Sequence, residues 1–218
     1  KGIRLLQFWD MEVFHRNKIV RSMIIHALGM TPNRIGARET KVVKITNKRA
    51  NDFYKENHLQ GPVPLTSQAF NVALKHNDKL RCVLSIDKPR FNKNYDWEIA
   101  RMATQRGWLV QGGADRLMRY ASAHMTGSLI TYATLMHSVG KVYNCIGMQR
   151  LRYSTPGYRW IRNTTQLTRY QVQRHKLPTL AERLGVIYSG ESETDFLRKN
   201  GFLKVYDVGN VVFEGKLN

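Results

Sequence analysis

Two periods of apolar residues organise the chain. Alternation at every second position marks strands, and recurrence at three and four positions marks helices. Residues 3–9, Ile3-Arg-Leu-Leu-Gln-Phe-Trp, read as a short buried strand. Over residues 10–28 the spacing turns helical: Val13, Val20, Ile24 and Ala27 or Leu28 form a stripe, with His15, Arg16, Lys18 and Arg21 mostly off it. Gly29 and Pro32 stop that helix. After a basic connector at 33–38, residues 40–45 alternate like a strand. Asn47 suits the N-cap of a helix over 48–57 with Ala50, Phe53 and Tyr54 inward. Residues 70–75 and 80–86 predict a hairpin across 76–79.

The rest of the chain is arranged around residues 98–124. Leu109 and Val110 are strand-like, Gly112 and Gly113 allow a tight turn, and a helix follows with Leu117, Met118 and Ala121 on its inner side. Such a helix start offers free N–H groups and a positive dipole end, which suit a phosphate or pyrophosphate. The same glycines equally suit a helix packed tightly on a sheet. Downstream, 128–134 reads as a strand and 140–146 as a short helix ended by Gly147. Gln149 to Tyr153 and Tyr158 to Arg162 predict a hairpin across 154–157. Residues 166–176 read as a basic helix broken at Pro178. Residues 191–199 read as a helix with Ser192, Glu193 and Asp195 in a capped first turn. Residues 202–205 and 211–214 close as a final hairpin over 207–210.

Charge changes the picture more than composition does. Thirty-five Lys and Arg against sixteen Asp and Glu give +19, spread over all 218 residues. A polyanion is the natural partner, and double-stranded DNA the first choice. No long apolar run or lipid-anchor motif points to a membrane. The loop at 87–96 carries Lys88, Arg90 and Lys93 around Phe91 and Tyr95. The expected hairpin carries Arg150, Arg152, Arg159 and Arg162 with Tyr153, Tyr158 and Trp160. Basic and aromatic residues interleaved in this way suit a nucleic-acid backbone. Arg116, Arg119, Arg169, Arg174 and Lys176 complete the expected DNA-contacting set. Cys82 and Cys145 read as buried thiols of a reducing compartment, and no His or Cys pair has zinc spacing. No metal ligands are expected. No signal peptide is visible, and the start at Lys1 suggests a piece of a longer protein.

From residue 40 the order of elements is strand, helix, hairpin, strand, glycine turn and helix, strand, short helix, hairpin. That order resembles the GNAT acyltransferase fold. Val110-Gln-Gly-Gly-Ala-Asp-Arg-Leu resembles the turn where that family seats the pyrophosphate of acetyl-CoA, which implies Gly112, Gly113 and Ala114 as cofactor-binding residues. Gly140-Lys-Val-Tyr-Asn-Cys-Ile-Gly-Met resembles the later helix motif, which implies Tyr143 as the general acid. The family's turn is Gln/Arg-x-x-Gly-x-Gly/Ala, whereas the glycines here are adjacent. Glu98 is the best candidate for a general base, though it reads more readily as structural.

A second resemblance spans nearly the whole chain. Leu6-Gln-Phe-Trp-Asp-Met-Glu, Ile19-Val-Arg-Ser-Met-Ile, Asn57-His-Leu-Gln-Gly, Lys88-Pro-Arg-Phe, Arg174-His-Lys-Leu and Tyr206-Asp-Val-Gly-Asn resemble the C-terminal region of phage homing endonucleases, in which a Vsr-like PD-(D/E)XK nuclease precedes a GNAT-like domain. It implies a nuclease tail over residues 1–32, a GNAT-like domain over 33–165 and a helix-hairpin extension over 166–218. It also implies an Mg²⁺-dependent parent nuclease whose catalytic carboxylates lie upstream, in the cytoplasm of an infected bacterium. Asp10 and Glu12 then simply open a helix. The expected fold class is α+β: a GNAT-like mixed central sheet flanked by helices, with an N-terminal strand-helix appendage. Two functions remain open, a DNA-binding module of such an endonuclease and an acyl-CoA-dependent acyltransferase; a plain nucleic-acid-binding assembly protein leaves the glycine turn unexplained.

Overall fold

The computed structural model describes Ile3 and residues 5–218. The chain forms two compact units, one of Lys1–Tyr153 with Val211–Asn218 and one of Ser154–Asn210. The boundary expected at 165/166 instead runs through a hairpin of the second unit, because Thr165 pairs with Arg162.

The first unit opens with α1 (Asp10–His15) and α2 (Asn17–Ala27), broken at Arg16, where one continuous helix was expected. Asp10 and Glu12 do lie in the first turn of α1, and the Glu12 carboxylate accepts from the Trp9 N–H at 3.1 Å. No strand forms over residues 5–9, and Arg4 lies outside the described residues. Gln7 instead donates its N–H to the Met136 carbonyl at 2.7 Å.

The sheet comprises β2 (Lys41–Lys44), β3 (Phe70–His76), β4 (Lys79–Asp87), β5 (Trp97–Thr104), β7 (Gly127–Thr134), β8 (Gln149–Tyr153) and β12 (Asn210–Leu217), in the order β2-β3-β4-β5-β7-β12-β8. The β3–β4 turn needs two residues at positive φ, and Asn77 and Asp78 supply 48° and 58°. Alternation along β3 and β4 feeds both faces. Ala73 and Val83 meet Ala50, Phe53 and Tyr54 of α3 (Asn47–Asn57). Leu74, Leu84 and Ile86 meet Leu117, Met118 and Ala121 of α4 (Gly113–Ser122). The N-cap of α3 is Thr46, whose hydroxyl accepts from the Arg49 N–H, rather than Asn47. The result is the expected α+β class, a mixed central sheet flanked by helices. A separate parallel pair joins β1 (Asn33–Gly36) to β6 (Trp108–Gln111), directly before α4.

The second unit contains β9 (Tyr158–Arg162), β10 (Thr165–Thr168) and β11 (Leu203–Tyr206), in the order β10-β9-β11. Trp160, Leu167, Phe196 and Phe202 are buried against α6 (Leu177–Leu184) and α7 (Glu193–Lys199). Three expectations fail here. Strand β8 pairs with β12 and β9 with β10 and β11, so the basic hairpin of 149–162 does not exist as a paired ribbon. For the same reason β11 and β12 do not form the final hairpin. Residues 166–176 hold a strand and a 3-10 turn rather than a helix, and Pro178 starts α6 instead of ending a helix, as its missing N–H allows in a first turn. Ser192 caps α7 as expected.

Candidate functional site

Strands β5 and β7 run parallel but pair only at Trp97↔Leu129 and Glu98↔Ile130. One further tie follows, from the Thr131 hydroxyl to the Ile99 carbonyl at 3.3 Å. A bulge on β5 lies just there: Ile99 pairs with Ile86 and Arg101 with Ser85, which leaves Ala100 without a partner on β4. Bulges bend a strand and end its pairing. Beyond this point β5 continues to Thr104 and β7 to Thr134 without a shared ladder. The two strand edges between them carry the hydrogen-bonding groups that an inserted extended chain uses.

Three side chains converge at this fork. Tyr143, from α5 (Lys141–Cys145), bonds to Thr131 through its hydroxyl and lies tilted against the Phe213 ring, with ring centres 5.2 Å apart. Burial raises the Tyr143 pKa above that of a free phenol, and the bond to Thr131 and then the Arg101 charge only partly offset it. Tyr143 is therefore a protonated phenol throughout the neutral range. Arg101 donates to the carbonyls of Gly61 and Ala100 at 3.3 and 3.2 Å. Burial, and then the neighbouring Arg90, push its pKa down to about 10. Burial likewise holds the His58 imidazole down at about 3, with Arg101 and His137 adding to the effect.

Glu98 is fully buried at the root of the fork. Its Oε1 accepts from Arg90 Nε and Nη2 at 3.0 and 2.5 Å, and its Oε2 from the Arg90 N–H at 2.9 Å. A carboxylate so fully engaged is a structural anchor rather than a free base. Arg90 is thereby committed to the protein.

The α4 start lies on the same unit. Gly112 is its N-cap at φ 74°, with no side-chain cap. A Cβ on Gly113 would lie 3.0 Å from Val110 Cγ1 and 3.4 Å from Leu74 Cδ1, so close packing explains that glycine. A Cβ on Gly112 would meet only Ala37, at 3.8 Å, so the backbone alone requires glycine there. The first-turn N–H groups of an uncapped helix are the donor set that a pyrophosphate takes. Three charged side chains belong to the same helix: Arg116 Nη1 donates to the Ala37 carbonyl at 2.8 Å, and Asp115 pairs with Arg119 at 3.0 Å.

The remaining expected DNA-contacting cations are distributed over both units. Lys88 Nζ lies 3.9 Å from the Trp97 ring centre, Lys93 donates to the Pro89 carbonyl, and Arg150 donates to the Tyr153 hydroxyl at 2.8 Å. Arg152 lies on β8 and contributes to the field at Tyr95 and Tyr132. In the second unit Arg159 donates to Gln166 at 2.7 Å and Arg162 to the Asn200 carbonyl at 3.0 Å. Arg169 faces the Tyr158 ring, Lys176 the Tyr170 ring, and Arg174 opens the 3-10 turn. Cys145 is exposed, contrary to the expected buried thiol, because the short α5 turns that position outward; Cys82 is buried as expected. Among the described residues no three His, Cys, Asp or Glu side chains gather as a metal site, and no helix is long and apolar enough to cross a membrane.

Sequence reading missed Arg101 and Thr131. The signal for Arg101 was a lone arginine inside the apolar run Ile99-Ala-Arg-Met-Ala, since a buried charge needs a reason.

No family model and no curated protein matches the chain. Among solved structures it is similar to the ribosomal-protein-S18-alanine N-acetyltransferase from Escherichia coli, at 9% identity, with 82% of this chain and 94% of that chain covered and a TM-score of 0.46. A likeness of that degree assigns no residue roles. Neither the homing-endonuclease resemblance nor the nuclease tail has a counterpart among the family models or the curated proteins.

Proposed function

We propose that the first unit is an acyl-CoA site of GNAT type and that the protein is an acyltransferase. The observation that carries this reading is the fork: two parallel strands that part after two residue pairs, with the protonated Tyr143 bonded to one arm and Arg101 on the other. The N–H groups of Gly113, Ala114 and Asp115, beyond the Gly112 turn, would hold the pyrophosphate. The unpaired edges of β5 and β7 would take an extended arm by strand-like hydrogen bonds. Bound there, acyl-CoA supplies an activated thioester. Tyr143 holds a proton for the leaving thiolate. Glu98, tied to Arg90, is not free to take a proton from the acceptor.

The test is a thermal melt with and without acetyl-CoA. At about 100 times Kd a ligand adds about 2.7 kcal/mol, which raises Tm by about 6 °C for a chain of this size. No shift at millimolar acetyl-CoA contradicts the reading.

A second reading, DNA binding, is favoured by one observation, the +19 charge. It is compatible with an acyl-CoA site, and salt-steep affinity for duplex DNA is its signature. The upstream nuclease, its Mg²⁺ and the phage host belong with this second reading.

A further inference from the structure

A groove of about 380 Å³ lies in the first unit between α2 and the turn after β5. Its rim carries Lys18 and Arg21 of α2, and its wall carries Ser22, Asn57 and Arg106. Lys18 and Arg21 are exposed, and among the described residues neither has an ion-pair partner. Arg106 meets the exposed Glu56 at 3.2 Å through Nη2, while its Nε is buried without a partner. The wall is held rigid: Gly107 N–H donates to Ser22 Oγ at 3.1 Å and Arg106 N–H to Asn57 Oδ1 at 2.9 Å. Since Ser22 accepts there, its own proton remains available to a ligand. Three cations against one carboxylate, with a free hydroxyl between them, form a recognition set for a tetrahedral oxyanion.

We propose that this groove binds a backbone phosphate of a nucleic acid. The groove is open rather than enclosed, so a phosphate attached to a larger chain can enter it. The +19 charge of the protein favours a polyanion over a small free ion. The proposal rests on the DNA-binding reading and shares none of the residues assigned to the acyl-CoA site.

The experiment measures affinity of the whole chain for a labelled DNA duplex across a salt series. Lys18→Gln with Arg21→Gln is compared with Lys48→Gln and Arg49→Gln, two exposed positions on α3 that remove the same charge away from the groove. The groove pair weakens binding and makes the plot of log affinity against log salt shallower by about 0.9, the share of one phosphate contact. The control pair leaves the slope unchanged. Equal slopes for the two pairs overturn the groove while leaving DNA binding intact; no binding by the wild type overturns both. In a second arm, inorganic phosphate at matched ionic strength competes with DNA on the wild type and not on the groove variant. A groove variant that loses thermal stabilisation by inorganic phosphate yet binds DNA like the control pair makes this a free-phosphate site and overturns the backbone assignment.

Discussion

Gly112 and Gly113 stand side by side for different reasons, and substitution separates them. In Gly113→Ala the new methyl lies 3.0 Å from Val110 Cγ1, 3.1 Å from Val110 Cβ and 3.4 Å from Leu74 Cδ1. Overpacking of that kind costs about 1–3 kcal/mol. Alanine returns up to about 1 kcal/mol of helix propensity, less in a first turn than in an interior. The net loss is about 1 kcal/mol, or about 2–4 °C in Tm at this chain length. In Gly112→Ala there is room, but φ 74° costs about 1–2 kcal/mol for a residue with a Cβ. The totals are similar, so the discriminating substitution is asparagine, which tolerates the left-handed region. Gly112→Asn regains most of the loss, whereas Gly113→Asn is worse than Gly113→Ala. Urea melts of the four variants, followed by circular dichroism, measure the differences. A Gly113→Ala protein as stable as the wild type would refute the packing argument, and a Gly112→Asn protein no better than Gly112→Ala would refute the backbone one.

Two further predictions concern titration and reactivity. His58 has its pKa lowered from 6.5 to about 3, chiefly by burial, and its Nδ1 accepts from the Gln60 N–H at 3.2 Å. Between those values the unfolded chain binds more protons than the folded one, so this contribution is present above pH 6.5 and lost as pH falls toward 3. Half-buried as the ring is, the loss between pH 7 and 4.5 is about 2 kcal/mol; His58→Gln, compared by melts at both pH values, has a flatter dependence, and an identical dependence counts against the assignment. Thiol titration with a disulfide reagent modifies one cysteine rapidly, Cys145, while Cys82, buried and with its thiol pushed up to about 11, reacts only on unfolding. Two fast thiols in the native protein contradict the structure at Cys82.

The local elements were legible in the sequence where side-chain period and turn chemistry act alone. The β3–β4 hairpin, α4 with its glycine turn and the Ser192 cap of α7 are of this kind. Pairing was not legible. Tyr153 and Tyr158 are separated by a good turn sequence, yet β8 finds its partner in β12, more than fifty positions away, and β9 finds β11. A turn signal states where the chain bends and not which edge offers the larger buried face. The fork was hidden for a related reason. It depends on a bulge at Ala100 and on how few residues β5 and β7 share, neither of which leaves a local pattern. Tyr143 stood out in the sequence only through the motif that residues 140–148 resemble; its bond to Thr131 and its neighbour Arg101 emerge from the fold.

Hydrogen exchange of the whole chain with and without acetyl-CoA tests the central claim most directly, since it reports where a ligand lies as well as whether it binds. The account predicts slowed exchange at the first turn of α4, residues 113–116, together with the forked edges at 100–104 and 131–134, and the same pattern in Tyr143→Phe, which loses the proton donor and keeps the binding surface. Unchanged exchange at both segments under saturating acetyl-CoA, or protection confined to other parts of the chain, would contradict it.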